Sequence, residues 1–327
     1  MSMEVRAQRR IDDTAPQHAA ADHERDFDFT ESDFTRIRAL IYQRAGIALS
    51  DHKRDMAYSR LARRLRACGK SSFSAYLDAL EHDNDPAEWE AFTNALTTNL
   101  TSFFREAHHF PLLAEHVAKV REPVTVWCSA ASTGEEPYSI AMTLIETLGA
   151  RASQCTILAT DLDTQVLAKA AAGVYTVDQV KGLTPERLRK FFFKGTGAQA
   201  GFVKVRPELR SMITFAQLNL TDTQWPLAQK HGPFDVVFCR NVMIYFDKPT
   251  QGRILERCAP LMKPSGLLFA GHSENFTYVT RFFRLRGQTV YELANDSNRR
   301  ADTGTAGAGG MAGTGAAAGI TGTRSAS

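Results

Sequence analysis

The stretch Val124-Thr-Val-Trp-Cys-Ser-Ala-Ala-Ser-Thr-Gly-Glu-Glu-Pro-Tyr-Ser-Ile140 constrains this chain more than any other. Val124, Val126 and Trp127 are β-branched or aromatic, as a core strand requires. Ser129 to Gly134 carry minimal side chains, so a ligand can approach the backbone there. Glu135 and Glu136 stand at the mouth of the next helix, and Pro137 suits its first turn. A strand, a small-residue loop and a helix in that order open a nucleotide-binding α/β unit.

What the stretch lacks narrows the ligand. A dinucleotide site wants G-x-G-x-x-G, with the pyrophosphate on the helix N-terminus. Only Gly134 is present, and two carboxylates guard the helix entrance, where they repel phosphate. They suit a ligand carrying an ammonium, a sulfonium or ribose hydroxyls, and S-adenosylmethionine has all three without a phosphate. The plainer reading is a tight βα turn whose two acids stabilise the helix dipole.

The 327 residues suffice for about two domains. Apolar content of 43%, charged content of 23% and a net charge of +3 are those of a soluble globular chain; the charge by itself argues no nucleic-acid partner. Five scattered cysteines without a C-x-x-C pair suit reduced thiols in a cytoplasmic protein. The N-terminus lacks a signal-peptide core, and no apolar run is long enough to span a bilayer.

Residues 1–26 and 295–327 read as a disordered polar lead and a disordered Gly/Ala/Thr-rich tail. Residues 27–98 read as all-helical. Thr30 and Asp33 resemble a capping box, Phe29 and Phe34 a hydrophobic staple, and Gly46, Gly69 and Asp85-Pro86 mark helix ends and starts. The second helix is basic: Lys53, Arg60, Arg63, Arg64 and Arg66 fall on one flank. That flank is either a solvated face or a docking face for an acidic partner.

Beyond residue 99, strand candidates at Val124–Trp127, Thr156–Thr160, Phe234–Cys239 and Leu267–Ala270 alternate with helical segments. The alternation implies a doubly wound, Rossmann-like parallel sheet with ligands at the strand C-terminal ends. Phe282–Leu293 reads as a hairpin turning at Gly287-Gln288. Between about 184 and 216, Phe191–Phe193, Phe202–Arg206 and Met212–Phe215 lack crossover helices. They are expected to form a small inserted antiparallel sheet with edges open to a peptide strand.

Four places can carry chemistry. Asp161 ends the second strand, where an acid takes ribose hydroxyls; it or Asp163 can instead cap the following helix. Asn99-Leu-Thr-Ser-Phe-Phe-Arg105 joins the two parts, and Arg105 is either a carboxylate clamp or a surface ion-pair partner. Cys239-Arg-Asn-Val-Met-Ile-Tyr-Phe246 leaves the fourth strand, with Asn241 and Tyr245 positioned to enter a cleft or, for the tyrosine, the core. Asn219-Leu220 is a weaker adenine-edge candidate. His108, His109 and His116 have no metal-ligand spacing and read as helix-surface residues.

Together these segments resemble the chemotaxis receptor protein-glutamate O-methyltransferase family. The resemblance runs from about Phe29 to Leu293 and rests on four stretches: Asn99-Leu-Thr-Ser-Phe-Phe-Arg-Glu-Ala-His-His-Phe110, Ala131-Ser-Thr-Gly-Glu-Glu-Pro-Tyr-Ser139, Phe238-Cys-Arg-Asn-Val-Met-Ile-Tyr-Phe-Asp247 and Gly271-His-Ser-Glu-Asn275. It implies a helical N-terminal domain before a methyltransferase domain at 99–294 that carries an antiparallel subdomain. It implies Asn99, Thr101, Arg105, Glu136, Asp161, Asn219, Leu220, Arg240 and Asn241 around S-adenosylmethionine, with Arg105 and Tyr245 nearest the methyl. It also implies that the basic helix faces the receptor's methylation helices and that, in some members, the small sheet captures a receptor tail peptide.

The implied reaction makes a glutamate methyl ester and S-adenosylhomocysteine. It needs neither a metal nor a general base, because a glutamate of pKa about 4.3 is already ionised at neutral pH. The alternatives are a methyltransferase of the same fold acting on nucleic acid or a small molecule, and a non-catalytic sensor of the cofactor. Arg240-Asn-Val-Met in place of an N/D-P-P-Y motif disfavours nucleic acid, and Arg105, Asn241 and Tyr245 disfavour the sensor.

Overall fold

The computed structural model describes residues 26–294. The expectations for the polar lead up to residue 25 and for the tail from residue 295 lie outside the described residues.

The N-terminal part is four helices, α1 (Glu31–Ala45), α2 (Arg54–Ala67), α3 (Phe73–Asp83) and α4 (Pro86–Leu96). Their boundaries follow local chemistry. Thr30 and Asp33 close a reciprocal capping box, and the Phe29 and Phe34 rings meet edge-on at 6.1 Å. Gly46 ends α1 in the left-handed region at φ 68°. Phe34, Ile37 and Ile41 of α1 pack with Leu61, Leu65, Phe73, Leu77, Phe92 and Leu96 in one apolar cluster. Leu162 and Tyr245 of the second part lean on that cluster, so the two parts share a seam. Hydrogen bonds from Tyr42 to Asp247 (2.7 Å) and from the Ala48 amide to the Tyr245 carbonyl (2.8 Å) cross it.

The second part contains strands β1 (Thr125–Cys128), β2 (Thr156–Asp161), β3 (Val174–Thr176), β4 (Phe192–Lys194), β5 (Phe202–Val205), β6 (Ile213–Gln217), β7 (Phe234–Cys239), β8 (Met262–Ala270), β9 (Phe283–Gly287) and β10 (Val290–Leu293). Helices α5 (His109–Ala118), α6 (Glu135–Leu148), α7 (Thr164–Ala172), α8 (Pro185–Phe191), α9 (Pro207–Arg210), α10 (Pro226–His231) and α11 (Lys248–Cys258) lie between them. The main sheet has the order β6-β2-β1-β7-β8-β10-β9. Its first five strands are parallel, and the β9–β10 hairpin adds two antiparallel strands at one edge. Side chains alternate across it: Val126, Cys128, Val236 and Phe238 enter one core, while Trp127, Val237 and Cys239 enter the other. Chain direction across the sheet reverses at β1, between β2 and β7, and the strand C-termini there open a crevice beneath the helical part.

The inserted sheet differs from the sequence expectation. Its order is β3-β5-β4, so its third strand is Val174–Thr176. Met212–Phe215 instead contributes to β6, which runs parallel to β2 from Ile157↔Ile213 to Asp161↔Gln217. The small sheet therefore spans about 174–205 rather than 184–216. Both candidates are short apolar strands, so pattern alone cannot separate them. Packing decides, because Tyr175 is buried against Tyr138 and Phe103 and donates to the Thr133 carbonyl.

Candidate active site

The loop after β1 is held from both sides. The Ser129 amide donates to the Phe238 carbonyl at 2.9 Å and the Ala131 amide to the Thr160 carbonyl at 2.8 Å. Gly134 lies at φ 100°, and a Cβ there would come within 2.7 Å of the Tyr175 hydroxyl and 2.9 Å of Ala170. This glycine thus serves loop-to-helix packing, not ligand approach. Ser132, at φ 48°, donates its amide to Asp161 Oδ2 at 2.8 Å and its hydroxyl to the Asn99 carbonyl at 2.9 Å.

The two acids after β2 divide the work left open by sequence. Asp163 caps α7, accepting from the Gln165 and Val166 amides, and also takes the Asn99 amide group at 2.8 Å. Asp161 accepts the Ser132 and Asp163 amides and turns the rest of its carboxylate to the cavity. Burial raises its pKa, and those amide donors work against that rise.

Glu136 and Arg240 do not stand alone. Arg240, 1% exposed, meets Glu136 at 2.6 Å and Glu106 at 3.3 Å and donates to the Arg105 carbonyl. Burial raises the Glu136 pKa, and Arg240 opposes this. Glu106 is also desolvated, yet donors at the His272 amide, Asn241 and Arg240 hold its pKa below the usual carboxylate range. One guanidinium is thus shared between two carboxylates beside the cavity. Glu135, in contrast, is buried toward Thr133 and Gln179, away from the cavity lining.

A single cavity of about 400 Å³ gathers the candidates, a volume suited to a small ligand. Asn99, Thr101 and Arg105 reach it from the linker, Glu136 and Asp161 from the first two strand ends, Asn219 and Leu220 from beyond β6, and Arg240, Asn241 and Tyr245 from beyond β7. Arg105 donates to the Leu100 carbonyl at 2.8 Å. Tyr245 donates to the Thr98 carbonyl at 3.3 Å, and burial raises its pKa. The Asn219 side chain is occupied by the Arg44 carbonyl and by Thr221, and its backbone carbonyl accepts from the Asp222 amide and the Trp225 indole N–H.

The basic helix is not one free flank. Arg60 donates to the Ala95 and Thr97 carbonyls. Arg64 pairs with Glu88 in a network shared with Tyr76 and Cys68, and Arg66 pairs with Asp26. Lys53 and Arg63 are exposed and have no ion pair among the described residues, and Lys53 lies on the cavity rim. His109 also departs from its surface reading. It is fully buried, bound to the Gln288 carbonyl at 2.9 Å, and its pKa is pushed down to about 4 by desolvation and by Arg240. Glu106, His108 and His109 bring ligand atoms within 4.8 Å of one another, but Arg240 already supplies a cation there, which opposes a metal ion.

Residues 99–292 match the CheR methyltransferase SAM-binding domain, and residues 32–97 match the CheR methyltransferase all-alpha domain. The chain belongs to the CheR methyltransferase family. It is 58% identical over 267 residues to a chemotaxis protein methyltransferase of Klebsiella aerogenes, covering 82% of this chain and 91% of that one. A relative of the same description from Escherichia coli is 57% identical over 267 residues, covering 82% and 92%. Chemotaxis protein methyltransferase 2 of Pseudomonas aeruginosa is 48% identical over 272 residues, covering 82% and 95%.

As a CheR methyltransferase the protein uses S-adenosylmethionine in chemotaxis. The cavity fits such a ligand by its volume and by the Asp161 carboxylate that lines it at the end of β2. Sequence reasoning passed over three contributors. Ser132 orients Asp161, Glu106 completes the Arg240 triad, and Glu274 holds the loop after β7. All three stood inside the stretches that carried the family likeness, and that was the available signal.

Proposed function

We propose that the protein transfers the methyl group of S-adenosylmethionine to glutamate carboxylates on the cytoplasmic domains of methyl-accepting chemotaxis receptors, from a cytoplasmic location, giving glutamate methyl esters. The observation that carries this reading is that one cavity collects Asp161, Asn241, Tyr245 and Arg105 from three chain segments, with exposed Lys53, which has no ion pair among the described residues, on its rim.

When bound, the cofactor supplies an electrophilic methyl on a cationic sulfur. The chain's residues do the rest. Asp161 takes ribose hydroxyls, and the Glu106–Arg240–Glu136 triad balances positive charge. Arg105 and Tyr245 orient an incoming carboxylate through hydrogen bonds. A carboxylate and a sulfonium neutralise each other as the bond forms, so water stabilises the separated charges more than the transition state, and a half-closed cleft favours transfer. Alignment alone can account for about 7 kcal/mol or more of the barrier. No base is required, and none of the described residues lining the cavity is a histidine.

Lys53 and Arg63 are proposed to meet the receptor's acidic helix face, replacing the five-residue flank. The small sheet offers an edge strand, β4, with exposed Phe193, where an extended receptor tail could add as a further strand. Nucleic acid and membrane insertion have no part in the reading; no helix among the described residues is long and apolar enough to cross a membrane.

The test incubates the protein with methyl-labelled S-adenosylmethionine and membranes bearing chemoreceptors. Base-labile label released as methanol is expected. Label on RNA or DNA, or cofactor binding without transfer to any acceptor, would contradict the reading.

A further inference from the structure

We propose that Glu274 is a positioning residue for methyl transfer, and that the Gly271–Glu274 turn braces Arg105 against the Asn241–Tyr245 loop. This rests on the reading that those residues line the transfer site.

Glu274 is 4% exposed and does not line the cavity. Its carboxylate accepts four backbone amides. Oε2 takes Gly271 at 2.5 Å and Asn241 at 2.9 Å; Oε1 takes Val242 at 2.9 Å and Met243 at 2.7 Å. An ionised carboxylate is the one side chain that can accept at both oxygens without presenting a donor. The amides it holds have no partner in a strand ladder, and burying them unpaired would carry the desolvation penalty of each N–H.

Asn241 sits at φ 58°, a conformation that a non-glycine residue keeps only under constraint. Glu274 supplies that constraint by pinning the amides of Asn241 and of the two residues after it. Tyr245 follows within the same short turn.

The turn's other side reaches the linker. The His272 amide donates to Glu106 Oε1 at 3.1 Å, and the same oxygen accepts from Asn241 Nδ2 at 3.1 Å. Glu106 is the neighbour of Arg105, so one turn touches both walls of the cleft. The turn is closed by the Glu274 amide on the Gly271 carbonyl at 2.9 Å. Only glycine fits its first position, because a Cβ on Gly271 would lie 2.4 Å from Asn241 Nδ2 and 2.8 Å from Glu274 Oε2.

The experiment compares wild type, Glu274→Gln and Gly271→Ala in receptor methylation, S-adenosylhomocysteine titration and thermal melting. Glutamine keeps the shape but turns one oxygen into a donor facing N–H groups. Alanine keeps the carboxylate's charge but drives a Cβ against both Asn241 and Glu274 Oε2. Each folded variant is expected to lose about 100-fold in kcat, the scale of an ångström-level misplacement, with product affinity and KM within about 3-fold of wild type. An unchanged kcat in a folded variant, or equal loss of affinity and kcat, would overturn the proposal.

Hydrogen exchange on the wild-type protein judges the brace even if both variants misfold. The amides of Gly271, Asn241, Val242 and Met243 are expected to be as protected as those of β7, and rapid exchange there would overturn it. A wild type that methylates no receptor refutes the proposed function instead, and leaves the exchange result to decide on the brace.

Discussion

At the scale of the residue, what decides the site is which charges are already matched. Arg240 is enclosed by Glu106 and Glu136, whereas Arg105 spends its guanidinium on one carbonyl and stays half-exposed at the cavity. Arg105→Ala should therefore lower turnover about 100-fold or more while Tm moves by no more than about 2 °C. Parallel loss of Tm and activity would count against its role. His109 tests the buried network differently. Its folded pKa of about 4 lies below the ordinary 6.5, so the unfolded chain binds more protons between those values. Stability is then full above about pH 6.5 and declines as pH falls toward 4, by up to about 3 kcal/mol from this group. Denaturant titrations of His109→Gln should show a flatter decline over that window. The candidates that reach the cavity were legible because each follows a strand end or lies in a motif. It misread His109 and Arg64, since a helix pattern gives the face of a side chain but not the neighbour that covers it.

At the scale of the element, the helix ends were legible because caps are local chemistry. Thr30 and Asp85 accept the amides that their spacing implied. The strand exchange between the two sheets was not legible. β3 and β6 are both short and apolar, and their assignment depends on contacts distant in sequence. Gly46 links a helix end to the seam. A Cβ on it would lie 2.5 Å from Thr221 Cγ2 and press on Phe246, whereas one on Gly69 meets nothing within 4 Å. Both are left-handed, so each alanine variant carries a backbone cost of about 1 kcal/mol. Gly46→Ala should be the less stable by a further ~1–3 kcal/mol of overpacking and should also weaken S-adenosylhomocysteine binding. Equal stabilities in urea would show that the seam yields.

At the scale of the molecule, the division into a helical cap and an α/β domain followed from where the hydrophobic period changes, near residue 99. How the cap sits could not be read from sequence, because the seam uses single bonds such as Tyr42 to Asp247. That arrangement puts the N-terminal turn of α2 at the cavity rim and leaves Lys53 and Arg63 free of ion pairs among the described residues. Lys53→Glu with Arg63→Glu should raise the receptor KM roughly 5- to 10-fold at low salt, less at high salt, with product affinity unchanged. A change in product affinity alone would assign these cations to the cofactor instead. The account as a whole stands on the cofactor lying in the crevice between cap and sheet. A crystal structure with S-adenosylhomocysteine tests this most directly. The expected result is the ligand in that cavity, its ribose hydroxyls about 3 Å from Asp161 and its sulfur facing the gap between Arg105 and Tyr245. A ligand bound elsewhere, or one whose sulfur faces away from those two side chains, would contradict it.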